Sequence, residues 1–288
     1  MDIRRFKERF DPLFIGYLTA RIETALGRAS YPGIRELLSH TLTLAGEGKR
    51  LRPYLAYLGE GSLKETLEGD LLLTCIGIEL FHTFALVHDD IIDKDAERRG
   101  VPTLHAHAAL AHKDEHTANS LAMLMGDLLL TWAREALAMP AIQTLVETMS
   151  DEVNIGQTID VMLSLTEKVS TEDLDTMVEL KTARYSFARP LQIGATLRGA
   201  TQEELDFFFV FGRALGSAFQ IQDDSFDQES DRARHLPSYF TRGPADLALA
   251  RMNERFEEAK GLLDHSLLAP AVTQVLRDFS EVIRSRTR

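Results

Sequence analysis

Apolar residues recur at intervals of three and four along most of the chain. The pattern is plain in LLLTCIGIELFHTFALVHDDIID (71–93), ANSLAMLMGDLLLTWAREAL (118–137), TLVETMSDEVNIGQTIDVML (144–163) and ELDFFFVFGRALGSAFQIQDD (204–224). That interval is the period of a helix with one face turned to a core. No series of alternating residues bounded by hairpin turns accompanies it, so the expected fold class is all-α. Several of these helices are apolar on most faces, which predicts positions inside a large bundle or at a subunit interface. Breakers fall between them: YPG at 31–33, GEG at 46–48, RRGVP at 98–102, MP at 139–140 and RGP at 242–244. No Gly/Ser-rich or Pro-rich linker divides the chain, and no short repeat is visible. The expectation is one helical domain over residues 1–288.

Composition narrows the function classes. With 288 residues, 44% of them hydrophobic, the chain has ample material for a core. A formal net charge of −12 argues against nucleic acid as the main partner, since such binding rests on clustered positive charge. It does not exclude a phosphate ligand, because local charge can oppose the net sign. The opening MDIRRFKERF has no apolar signal core, and no uncharged run approaches the length of a membrane span. A cytoplasmic protein is therefore expected. Cys75, the single cysteine, sits among apolar residues and reads as a small core side chain.

Two acidic clusters change the picture. Asp89, Asp90 and Asp93 close one apolar helical run, and Asp223, Asp224 and Asp227 close another. Residues four apart on a helix share a face, so each DDxxD presents two carboxylates in line and a third beside them. Most charge runs are solvated faces. Here the same spacing occurs twice, each time at the end of a strongly apolar segment, and like charges this close repel. Carboxylates so arranged suit Mg²⁺, which commonly bridges them to substrate phosphates. Two such clusters facing each other would hold a diphosphate through several metals. Basic residues suited to the anion are also present: Lys49, Arg50 and Arg52 in GKRLRP, Arg98 and Arg99 in RRG, and Lys181 in KTARYSF. His82 lies seven residues before Asp89, two turns back on nearly the same face.

In this order GKRLRP, ELFHTFALVHDDIID, RRGVPTLH, GDLLL, GQTID, KTARYSF and FQIQDDSFD resemble the trans-polyprenyl diphosphate synthases of the farnesyl and geranylgeranyl type, from about Gly48 to Asp227. The resemblance implies an isoprenoid-synthase helical bundle around a central cavity, usually a homodimer. It implies an enzyme that joins isopentenyl diphosphate head to tail to an allylic diphosphate and releases pyrophosphate. Carried over residue by residue, Asp89, Asp90, Asp93, Asp223 and Asp227 would hold Mg²⁺, with Asp224 a weaker ligand. Arg98, Lys181, Thr182 and Gln220 would meet the allylic substrate; Lys49, Arg52, His82 and Arg99 would hold isopentenyl diphosphate. Asp89, Asp93, Lys181 and Asp223 would carry the catalytic step, and Gln157 and Asp160 would lie near the cavity. In relatives a bulky residue at the position of Phe84 stops chain growth. Phe84, backed by Phe81, therefore implies a C15 or C20 product.

The resemblance weakens after the second cluster. The family's Gly-Lys loop and Lys-Thr-Leu-Pro-like turn are replaced by DQESDRARHLPSYFTRGPADL, and the next lysine after Asp227 is Lys260. Arg232, Arg234 and Arg242 are the substitutes at hand, and the terminal IRSRTR either closes over a diphosphate or frays. Two alternatives stay open: a terpene cyclase on the same fold, and a partner subunit of another prenyl synthase. The bases of GKRLRP and RRG favour the transferase, since a cyclase needs no isopentenyl site.

Overall fold

The computed structural model describes residues 1–287 except Ser30, Lys113 and His235; the side chains of Ser230, Asp231 and Ala233 also lie outside the description. The chain forms two compact units. The first holds most of the residues up to Ala138, and the second holds Leu55–Lys64 and Met139–Arg288.

The first unit contains α1 (Ile3–Arg28), α2 (Pro32–Gly46), the start of α3 (Leu51–Glu60), α4 (Gly69–Asp93), α5 (Leu104–His112) and α6 (Glu115–Ala136). Helix α1 buries Phe6, Phe10, Phe14, Leu18, Ile22 and Leu26, one residue per turn, and the first three rings stack in succession at 5.3 and 5.6 Å. Burying an aromatic of this size contributes roughly 1.5–3 kcal/mol. Helix α4 is the centre of the unit and packs most extensively on α6. By length and a mean hydropathy of 1.7 it could cross a membrane, but most of its apolar stretch is buried inside the unit. Cys75 lies in its core, donating Sγ–H to the Pro53 carbonyl.

Helix α4 stops at Asp93 because Lys94 takes a left-handed conformation, with its N–H returned to the Asp90 carbonyl. A two-residue hairpin follows, β1 (Glu97–Arg98) paired antiparallel to β2 (Val101–Pro102). The sequence pattern reads RRGVP only as a breaker, because two-residue strands are too short to show alternation. Its turn residues, Arg99 and Gly100, both have positive φ (55° and 77°), the conformation that matches a tight hairpin's twist. Glycine adopts it freely; arginine does so at a cost of about 1–2 kcal/mol. The pairing of Arg98 with Val101 offsets that cost and places Arg99 at the tip.

The second unit contains α7 (Gln143–Ser164), α8 (Thr171–Val178), a π-helical segment (Glu179–Ala188), α9 (Arg189–Leu197), α10 (Gln202–Arg234), α11 (Tyr239–Arg242), α12 (Ala245–Asp264) and α13 (Pro270–Ser285). The π-helical segment packs most extensively on α10, and next on α7. It carries the whole of KTARYSF. Periodicity reads this stretch as ordinary helix, since the wider turn leaves the apolar spacing nearly unchanged over so few residues.

Candidate active site

In the first unit the acids gather at the C-terminal end of α4. Carbonyls at a helix C-terminus already carry partial negative charge, so carboxylates there raise the local demand for a cation. Arg98 meets part of that demand. Its Nε donates to Asp90 Oδ1 at 2.7 Å, its Nη2 also pairs with Asp90, and it lies 3.8 and 3.9 Å from Asp89 and Asp95. Asp90 is buried, and burial pushes its carboxyl up to about 6 despite the guanidinium that opposes the shift. Asp89 is more open than Asp90, and Asp93 is half-buried. Asp90 is thus the buried member of the cluster, and Asp89 and Asp93 are half-buried.

Two turns deeper on the same helix lies His82. Its pKa is held well below the usual imidazole range by burial first, then by the guanidiniums of Arg52, Arg99, Arg98 and Arg50. The ring is therefore neutral near pH 7 and stands in a positive field. His82, Asp90, Arg98 and Arg99 line one small cleft, with Glu79 and Arg50 at its base. Arg99 also donates to the Glu47 carbonyl. Lys49 is exposed and is not among the lining residues.

The GKRLRP run divides by role. Arg50 is 2% exposed and belongs to the scaffold. Its guanidinium donates to Asp11 on α1, Glu79 on α4 and the Gly46 carbonyl on α2, and it lies over the Phe14 ring. A buried ion pair is costly to desolvate unless its hydrogen bonds are satisfied. Here they are, and the arginine ties three helices together directly between Lys49 and Arg52. The sequence shows only three bases in four positions and does not separate them.

In the second unit, Asp160 of GQTID pairs with Lys181 at 2.5 Å. The glycine of that motif makes the approach possible: a Cβ on Gly156 would stand 2.4 Å from the Lys181 backbone nitrogen. The buried amide nitrogen of Gln157 has no hydrogen-bond partner among the described residues. A relay runs from the π-helical segment to α10: Thr182 Oγ1 donates to Gln220 Oε1 at 2.9 Å, and Gln220 Nε2 donates to Asp224 Oδ1 at 2.7 Å. Asp224 is buried, so it acts as the anchor of that relay, while Asp223 and Asp227 are the more open acids of the set.

Arg286 reaches Asp223, at 2.8 Å. Of the arginines that sequence offered, Arg232 donates to the Phe240 carbonyl and Arg242 to that of Leu163. His235, in the segment that replaces the family's turn, lies outside the described residues. Phe81 and Phe84 are buried in the first unit as an edge-to-face pair at 5.3 Å, with Phe84 also edge-on to His88. Among the described residues no three carboxylates, imidazoles or thiols stand together as a preformed metal cage.

Two aspartate clusters on helices, each with an arginine lodged in it, belong to a protein whose class is all-α. The particular family follows from comparison. The polyprenyl synthetase family matches residues 33–236, and the chain belongs to it. It is 36% identical over 203 residues to a geranylfarnesyl diphosphate synthase of Natronomonas pharaonis, covering 62% of this chain and 57% of the relative. It therefore spans little more than half that relative's length. A short chain isoprenyl diphosphate synthase of Methanothermobacter thermautotrophicus is 31% identical over 242 residues, 78% of this chain and 71% of the relative. A geranylgeranyl pyrophosphate synthase of Corynebacterium glutamicum, solved with isoprenyl diphosphate and magnesium, shares the fold at a TM-score of 0.82 and 23% identity, over 97% of this chain and 99% of the other.

Proposed function

We propose that the protein is a Mg²⁺-dependent trans-prenyltransferase. It condenses isopentenyl diphosphate head to tail with an allylic diphosphate to give a C15 or C20 prenyl diphosphate and pyrophosphate. The observation that carries this reading is the pairing, within a matched prenyl synthase sequence, of two aspartate clusters with guanidinium stand-ins: Arg98 on Asp90 and Arg286 on Asp223. A cation already sits where a cation is wanted. The donor set also fits, because Mg²⁺ prefers one or two carboxylates, retained waters and substrate phosphates to a closed protein cage. Asp89, Asp90, Asp93, Asp223 and Asp227 would hold the metal. When bound, it neutralises charge that develops on the departing diphosphate.

The chain's own residues do the rest. Arg98, Lys181, Thr182 and Gln220 would bind and orient the allylic diphosphate, with Lys181 fixed by Asp160 and Thr182 by Gln220. Arg52, His82, Arg99 and Lys49 would hold isopentenyl diphosphate, the neutral His82 donating a hydrogen bond without adding charge. Apolar walls keep water from the allylic cation until the isopentenyl double bond attacks. The released pyrophosphate accepts the final proton, so no side-chain nucleophile is needed. Cytoplasmic placement fits the burial of α4 within its unit.

Incubation with Mg²⁺ and a labelled allylic diphosphate, with and without isopentenyl diphosphate, tests the reading. An elongated product that requires both substrates is expected; a hydrocarbon or alcohol from the allylic substrate alone, or no turnover, overturns it. Asp89→Ala and Asp223→Ala should each lower turnover by several decades while leaving the far-ultraviolet circular dichroism unchanged. Near-native rates in either would remove that cluster from the metal site.

A further inference from the structure

We propose that Arg286 is the resident counter-cation of the second aspartate cluster and competes with a divalent metal for Asp223. This rests on the reading that Asp223 and Asp227 bind such a metal.

The arginine follows α13 and sits in extended backbone (φ −63°, ψ 141°), which carries its side chain off the helix and onto α10. There its Nε and Nη2 are both engaged. Nε donates to Gln222 Oε1 at 2.7 Å, Nη2 donates to the Phe219 carbonyl at 2.9 Å, and Nη2 lies 2.8 Å from Asp223 Oδ1. Its Cζ lies over the Phe219 ring, 3.8 Å from the centroid, and 5.6 Å from the centroid of the Phe226 ring. Gln222 returns the grip by donating to the Arg284 carbonyl at 2.9 Å. The segment is thus held at two points, and α10 provides both.

A loose surface ion pair would not look like this. Such pairs have few other bonds and are worth little. Here the Arg286 side chain is 14% exposed, whereas that of Asp223 is 41% exposed. The guanidinium is seated in a built slot and the carboxylate faces outward from it. Burial lowers the pKa of Arg286, and the Asp223 carboxylate opposes that shift.

A divalent cation arriving at Asp223 meets a positive charge already within hydrogen-bond distance. The two repel at short range, so each weakens the other's hold. Metal binding then loosens the segment after α13, while the bonds to Gln222 and Phe219, which need no carboxylate, keep Arg286 close. A cation freed in this way stands beside the bound metal in a chain that has no lysine between Asp227 and Lys260.

Mn²⁺ binding to the full chain, followed by electron paramagnetic resonance without any substrate, separates the possibilities. Arg286→Gln should bind Mn²⁺ roughly 10- to 150-fold more tightly than wild type, the span expected when one charge-assisted contact is lost. Arg286→Lys, which keeps the charge but not the fork, should fall between them. Mn²⁺ should also raise amide exchange in residues 284–287 of the wild type but not of Asp223→Asn. Equal or weaker Mn²⁺ affinity in Arg286→Gln, with normal binding in the wild type, overturns this proposal and leaves the metal reading standing. Wild-type protein that binds no Mn²⁺ through Asp223 overturns both.

Discussion

Arg98 and Arg99 are adjacent in sequence and opposite in circumstance. Arg98 neutralises buried Asp90, and Arg99 is held at a strained hairpin tip beside His82's cleft. Arg99→Ala should therefore raise the Michaelis constant for isopentenyl diphosphate by roughly 30- to 150-fold, the equivalent of about 2–3 kcal/mol of charged contact. Arg98→Ala should weaken the allylic substrate instead. It also strands Asp90, so Arg98→Lys is the control that keeps a counter-charge. Steady-state kinetics with each substrate varied in turn decides the matter; a rise confined to one and the same substrate in both variants refutes the division. His82 supplies a pH signature. Its folded pKa lies well below the unfolded value of 6.5, so the unfolded chain binds the extra proton first as pH falls. The stabilisation from a neutral His82 is complete above about pH 6.5 and is lost as pH drops below it. Melting temperatures from pH 7.5 to 5 should fall less steeply for His82→Gln than for wild type. His40 and His105, also depressed by burial, titrate in both proteins and cancel in the comparison. Parallel curves would show that the surrounding arginines do not press on His82.

At the scale of elements, the long helices and both acid clusters were legible because each rests on local periodicity. Asp89 and Asp93, or Asp223 and Asp227, share a face by spacing alone. What stayed hidden depends on contacts distant in sequence. Nothing in GKRLRP marks Arg50 as scaffold until Asp11 and Glu79 close on it, and nothing in IRSRTR assigns Arg286 to α10. The π-helical turn of KTARYSF is likewise set by tertiary packing: α7 comes close enough at Gly156 to pair Asp160 with Lys181. Helix α4 invites a test as an element, because it carries Phe84 five residues and Phe81 eight residues before the acid at Asp89. If these rings floor the growing chain, Phe84→Ala should lengthen the product by at least one isoprene unit, alone or with Phe81→Ala. Both rings are buried, and each truncation costs about 3–5 kcal/mol of stability, so the single variant is the decisive one. Chromatography of the dephosphorylated products reads the length. An unchanged distribution from a folded Phe84→Ala protein removes the ring from length control.

At the scale of the whole molecule, the apolar residues left at the surface call for an explanation. In the first unit Leu110 on α5 and Met123 and Leu124 on α6 are exposed, Leu124 by 58%. In the second unit Ile155 and Met162 on α7 are exposed, Met162 by 62%, and Leu165 follows just beyond the helix. Single exposed apolar side chains are ordinary, but runs on the long helices of one chain are the mark of a partner surface. A second copy of this chain is the partner the homodimer reading requires. Association must bring together two molecules that each carry −12, so the apolar contribution has to outweigh their repulsion, and salt should help it. Light scattering behind size exclusion should give twice the 32.3 kDa chain mass at micromolar concentration, with the dimer fraction rising as ionic strength increases. Leu124→Asp places a charge on one stripe and Ile155→Asp on the other. Each variant should shift the protein towards the monomer mass without changing its helix content. If only one does, the dimer uses that helix alone. A wild-type protein that runs as a monomer across this range refutes the dimer, and the exposed stripes then belong to some other partner.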